Sequence, residues 1–209
     1  KEETCILPYR DAFTKLGINP NKYMCSIEAL MTRISKGKDI PSINPIVDLG
    51  NALSLKYELP LGVHDIDNFI DGNIEIREAT KDDIFIPFGS TEIEHPEEGE
   101  IIYASNTEVK TRRWTWRQGE NSKITEKSTN LFIPIDGFTE NLDKIKELVK
   151  KFVQYVTTAI ETLKKKVFEV YMNTNFQDQF LSKYKDKVTW ENLSKAKEKG
   201  WIGTPVSVA

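Results

Sequence analysis

The chain has 209 residues, 39% of them hydrophobic and 29% charged, with a formal net charge of −3. That length carries one well-cored domain with an appendage, or two small domains, and the composition excludes a disordered or membrane-embedded chain. No apolar run approaches the roughly 20 residues of a membrane span, and the opening KEETCILPYRDAF lacks the apolar core of a signal peptide, so a native start at or near Lys1 places the protein in the cytoplasm.

The charge is unevenly spread. Residues 139–199 hold 13 of the 29 basic residues and 9 of the 32 acidic ones, a local excess of +4 that leaves −7 elsewhere. Residues 78–100 hold eight acids against one lysine. Nucleic-acid contact must therefore come from local patches. Cys5 and Cys25 lack C-x-x-C spacing, and His64 and His95 have no nearby cysteine, so neither a metal nor a disulfide framework is expected. The cysteines read as reduced, half-buried small hydrophobes. Phosphate-loop, dinucleotide and nucleophile-elbow motifs are all lacking, and no cofactor is expected.

Taken in chain order, SIEALMTRISKG places Ile27, Leu30, Met31 and Ile34 on one helical face, with Ser26 as N-cap and Gly37 as stop. SINPIVDLGNALSLKYELP follows with Asn44 as cap, Pro45 at the first helical position and Pro60 as terminator. Asp48 and Asn51 stand three apart on one face of that helix, either bonded to a neighbouring loop or lining a site. Beyond Pro60 the period becomes two. NIEIREA, EIIYA, VKTRRWTW and NLFIPI read as strands separated by turn residues, a mostly antiparallel sheet region. Strict alternation in VKTRRWTW puts Arg112, Trp114 and Trp116 on one face and Arg113 and Thr115 on the other.

From Leu142 to Val167 apolar residues recur at three and four, giving one long helix. Its seam docks on the parent sheet or forms a homo-oligomer with the same helix of a second subunit; both stay open. The tail from Tyr171 has room for a short helix at 189–199.

RRWTWRQGENSKIT, residues 112–125, gathers three arginines, two tryptophans and a glutamate. It reads as a lined site or contact surface, or as a strand whose tryptophans are core and whose arginines pair with the acids of 78–100.

Three segments, INPIVDLGNALSLKYELPLGVHDID, GEIIYA and RRWTWRQGENSKITEKST, occur in an order and spacing that resembles the tRNA-editing domain of the bacterial phenylalanyl-tRNA synthetase beta subunit, and more closely its stand-alone relatives. The resemblance covers roughly residues 20–136. It implies a three-layer α+β fold with mostly antiparallel sheets and flanking helices, an editing-type domain at 1–138 and a C-terminal helical extension at 139–209. The partner it implies is tRNA or aminoacyl-tRNA, and the implied activity is hydrolysis of a mischarged ester in trans. By the same resemblance Asn51, from the V-D-x-x-N helix that also carries Asp48, shapes the pocket for the tRNA 3′ end. Glu120 reads the para-hydroxyl of tyrosine, with Gln118, Thr115 and Trp116 near it. The family's histidine position holds Gly62, and His64 lies two residues on, where a turn at 60–65 would leave it as a satisfied core residue.

In this setting Trp114 and Trp116 offer stacking faces for an adenine or an aromatic aminoacyl group, and Arg112, Arg113 and Arg117 are candidate phosphate contacts. Asn51, Glu120, Trp116 and Gln118 are expected to converge on one pocket between helix 45–58 and strand 109–116. No catalytic residue is assigned. A deacylase, a non-catalytic tRNA or amino-acid binding module, and a scaffold with a vestigial pocket all remain open, whereas a chain this short without an ATP motif is not a complete synthetase.

Overall fold

A computed structural model describes residues 3–67, 69 and 73–173, with side chains as far as residue 165. The chain divides into two compact units, residues 1–152 and 153–209. The expected helix at 189–199 lies outside the described residues.

The first unit opens with α1 (Leu7–Lys15), α2 (Ser26–Ser35) and α3 (Pro45–Tyr57). α1 was not apparent from periodicity. Its buried face consists of Tyr9 and Phe13 alone, too few apolar residues to stand out against Arg10, Asp11 and Lys15. In α2 the cap position is Cys25 rather than Ser26, which is the first helical residue, and the helix stops before Gly37 at φ +67°. In α3, Asn44 Oδ1 accepts the Ile46 N–H at 2.9 Å and Pro45 fills the first turn. Glu58 then ends the helix at φ +54°, and Ser54 Oγ donates to the Leu59 carbonyl at 2.6 Å.

Six strands follow among the described residues: β1 (His64–Asp65), β2 (Glu75–Glu78), β3 (Ile101–Ser105), β4 (Glu108–Arg112), β5 (Arg117–Gln118) and β6 (Leu131–Phe132). They form an antiparallel sheet ordered β2-β3-β4-β5 and a two-stranded β1-β6 ladder, so the fold is mixed α+β. β4 ends at Arg112, four residues before the expected end of the VKTRRWTW strand. Arg113 and Trp114 take φ +47° and +59°, and the Trp116 N–H returns to the Arg112 carbonyl at 3.2 Å. Two bulky left-handed residues in succession cost on the order of 1–3 kcal/mol each. The expected alternation of faces therefore fails beyond Arg112.

Residues 60–65 do not form a turn. They run extended and antiparallel to 131–136, through Asp136 N–H to Pro60 (3.0 Å), Gly62 N–H to Pro134 (3.0 Å) and the His64–Phe132 pair. α3 presses on this segment where Gly50 has no side chain, since a Cβ there would lie 2.9 Å from Leu61 Cδ2.

One core cluster joins Tyr9, Phe13, Ile18, Cys25 and Ile27 to the partly buried Trp114, Trp116 and Phe138. A second, of Ala79, Phe85, Ile102, Ala104 and Val109, covers one face of the larger sheet. α4 (Leu142–Asn173) begins after Phe138, whose N–H donates to Asn141 Oδ1 at 3.1 Å. Within the first unit its buried positions are Leu148 and Phe152, while Leu142 and Val149, expected on the packed seam, are exposed. In the second unit Val153, Ile160 and Leu163 are exposed. Among the described residues no helix is long and apolar enough to cross a membrane.

Candidate functional site

The left-handed turn after β4 is the element that builds the site, and a buried carboxylate holds it. Glu100 accepts Arg112 Nε at 3.0 Å and Nη2 at 2.8 Å, together with the Arg113 backbone N–H at 3.0 Å. Arg112 Nη1 also meets Glu94 at 2.9 Å, and Arg113 Nη2 meets Glu97 at 3.2 Å. Both arginines are buried, 6% and 4% exposed, and the Arg113 guanidinium lies 3.9 Å from the Tyr23 ring centroid. The two guanidiniums read as phosphate contacts are thus engaged by carboxylates of 94–100. Arg117, by contrast, is exposed.

The turn delivers Trp114, Thr115 and Trp116 to a cavity of about 90 Å³, which they line with Gly62, His64, Thr111, Arg117, Gln118, Tyr103 and Asp136 among others. Trp116 stands edge-on to Tyr23 at 4.8 Å, and Trp114 packs on Tyr9, Phe13 and Phe138. Each tryptophan therefore has one side in the core and another on the cavity. Thr111 and Gln118 are cross-strand partners in the β4-β5 ladder, which is why both reach the same space. Gln118 Nε2 donates to the Val63 and Ser122 carbonyls, both at 2.9 Å, tying the ladder to the 60–65 segment.

Because 60–65 is extended, residues 62 and 64 project to one side. His64 uses the room that Gly62 leaves: a Cβ at Gly62 would lie 3.0 Å from His64 Nε2 and 3.2 Å from Pro134 Cγ. His64 Nδ1 bonds to Ser122 Oγ at 2.9 Å, and Nε2 lies 3.4 Å from Thr111 Oγ1. The ring is 2% exposed. Burial, helped by the Lys110 charge, pushes its pKa down to about 4, so the imidazole is neutral at pH 7.

Asp136, which periodicity did not single out, is the carboxylate of this cavity. Its Oδ1 accepts the Tyr103 hydroxyl at 2.6 Å and Trp114 Nε1 at 2.7 Å. Burial raises its pKa against the pull of those two donors. The signal in the sequence was slight: an aspartate closing the apolar run LFIPI. Thr115 Oγ1 is the other notable group. It is sealed from solvent and has no hydrogen-bond partner among the described residues, while the Thr115 carbonyl accepts the Ser26 N–H at 2.9 Å. An orphan buried hydroxyl costs about 1–3 kcal/mol.

The remaining candidates lie elsewhere. Glu120 lines a second, wider cavity of about 620 Å³ with Asp65, Asp67, Glu108, Lys123 and Lys127 among others. Its Oε1 pairs with Lys123, and its Oε2 accepts the Gly89 N–H at 2.8 Å. These two contacts, Lys123 first, hold the carboxylate below its usual range. Asp48 fastens the start of α3, accepting the Ile43 N–H at 2.9 Å and Ser42 Oγ at 2.5 Å, and is lowered by those bonds. Asn51, partly exposed on α3, lines neither cavity. Of the four residues expected to converge, Trp116 and Gln118 share the first cavity, whereas Asn51 and Glu120 do not line it.

A comparison with curated proteins finds no match. A family model described as the B3/4 domain matches residues 8–163, which include every element described above from α1 through the first two-thirds of α4. The chain therefore belongs to the B3/4 domain family, the domain of the phenylalanyl-tRNA synthetase beta subunit.

Proposed function

We propose that the protein binds the aminoacylated 3′ end of a tRNA at the cavity between residues 60–64 and 111–118, and that it hydrolyses the ester of a mischarged tRNA. The observation that supports this is a cavity in which the Trp114 and Trp116 rings stand beside the polar Thr111 and Gln118. Aromatic walls with a few convergent polar groups suit an aminoacyl end. A cavity of about 90 Å³ is below the roughly 300 Å³ at which sites for whole small molecules begin. It therefore takes the aminoacyl group and its ester rather than a nucleoside. The terminal adenosine lies outside, within reach of the exposed Arg117.

In hydrolysis a water adds to the ester carbonyl, the bond to the ribose oxygen breaks, and the proton lost by the water ends on that oxygen. His64, with its pKa near 4, is a weak proton acceptor at pH 7. Water is then positioned by backbone groups and the ribose hydroxyl, and turnover is slow. That same weak basicity favours a second reading, in which the cavity holds the aminoacyl end without turnover. Incubation with a panel of correctly and incorrectly charged tRNAs, following ester loss against a no-protein blank, separates the two. Accelerated loss of a mischarged ester supports the deacylase; tRNA binding with side-chain preference and no ester loss supports the binding module. Indifference to the aminoacyl group removes both.

A further inference from the structure

We propose that Asp136 anchors a primary ammonium group of the ligand, so that this cavity selects aminoacyl groups by their free α-amino end; this rests on the reading that the cavity holds an aminoacyl-tRNA end. The two donors that Asp136 meets, Tyr103 and Trp114, both point at Oδ1. Oδ2 has no protein partner among the described residues, yet it is not among the sealed, unsatisfied atoms, and Asp136 lines the cavity.

Asp136 forms no ion pair among the described residues. Three buried acids, Glu28, Asp83 and Glu100, each sit against an arginine at 2.6–2.8 Å, and the buried Asp65, which has no ion pair among the described residues, accepts from Ser128 and the Asp67 N–H. A carboxylate withdrawn from water without a cation carries an unrecovered desolvation cost, and a ligand cation recovers it. Neutral His64 supplies no competing charge. Two neutral donors on one oxygen also fix the carboxylate plane, leaving the second oxygen pre-aimed.

The test uses the full chain and two non-hydrolysable 3′-amido adenosine analogues, one carrying a phenylalanyl group and one its deamino counterpart, 3-phenylpropanoyl. Affinities are measured by calorimetry at pH 7. Wild type is expected to prefer the amine-bearing analogue by about tenfold or more, since a charged hydrogen bond in a desolvated site is at stake. Asp136→Asn still accepts from Tyr103 and Trp114, and should bring the ratio near one by weakening the amine-bearing analogue alone. Equal binding of both analogues by wild type overturns the anchor while leaving the aminoacyl reading in place, and that comparison decides even if the variant fails to fold. A preference for the amine-bearing analogue that survives in Asp136→Asn also overturns it. If wild type binds neither analogue, the cavity reading fails and the anchor with it.

Discussion

Removing the Glu100 carboxylate should unfold the site before it changes any chemistry. Glu100→Ala deletes the acceptor of two Arg112 guanidinium nitrogens and of the Arg113 N–H, and the buried one of the two carboxylates beside the Arg113 guanidinium, at 3.3 Å. The partners that remain, Glu94 and Glu97, are 42% and 81% exposed, so solvent screens them and each offers no more than about 1 kcal/mol. Two buried guanidiniums are left largely uncompensated beside a turn already strained at Arg113 and Trp114. Breaking a buried pair from one side costs about 3–5 kcal/mol, which for a domain of this size lowers Tm by roughly 6–20 °C. Thermal unfolding followed by circular dichroism reads this, and near-ultraviolet signals from Trp114 and Trp116 should be lost along with it. A Tm drop of 2 °C or less would refute the reasoning and reduce the arginine cluster to an ordinary surface network.

Other expectations follow from single contacts. Thr115→Val removes the sealed orphan hydroxyl, so it should raise unfolding stability by about 1 kcal/mol, read in denaturant melts. His64 is neutral in the fold with a pKa near 4, against about 6.5 when unfolded. Its contribution is therefore complete above pH 6.5 and is lost as pH falls toward 4, by about 3 kcal/mol, and His64→Gln should flatten the stability slope in that window. Gly62→His must displace the His64 ring, and is expected to cost about 1–3 kcal/mol, whereas the double change Gly62→His with His64→Gly should recover much of it in urea melts. Arg117→Ala should lower the slope of log affinity on log salt for tRNA by about one, and an unchanged slope would take Arg117 out of the phosphate contacts.

How much of this was legible depends on whether a residue's role is local. The ends of α3 could be read because Asn44, Pro45 and the break before Pro60 act within a few residues. The pairing of Arg112 and Arg113 with the acids of 78–100, with Trp114 and Trp116 packed against the core, was one of the two readings that the composition of the tryptophan stretch offered. The turn inside that stretch could not be read. Strand alternation continues on paper through Trp116, and the left-handed Arg113–Trp114 pair is held from a dozen residues upstream, where Glu100 accepts the Arg113 N–H and Ile101 the Trp114 N–H. The same long-range pairing engages Arg112 and Arg113, which a sequence window shows only as positive charge. Asp136 was missed for a related reason. Its meaning comes from Tyr103 and Trp114, which lie 33 and 22 residues away. The relation of His64 to Gly62 needed the strand pairing with 131–136, because a turn and an extended segment place those two residues on different sides.

The central claim is that the aminoacyl end binds at the cavity of Gly62, Thr115 and Gln118, and not at the wider one beside Glu120. An NMR titration of the full chain with a non-hydrolysable 3′-aminoacylamido adenosine tests it most directly. The account predicts concentration-dependent shifts of the Gly62, Thr115 and Gln118 amides and of the Trp114 and Trp116 indole N–H groups, with Asn121, Lys123 and Lys127 unmoved. Shifts confined to Asn121, Lys123 and Lys127, with the Thr115 and Gln118 signals stationary at saturation, would contradict it.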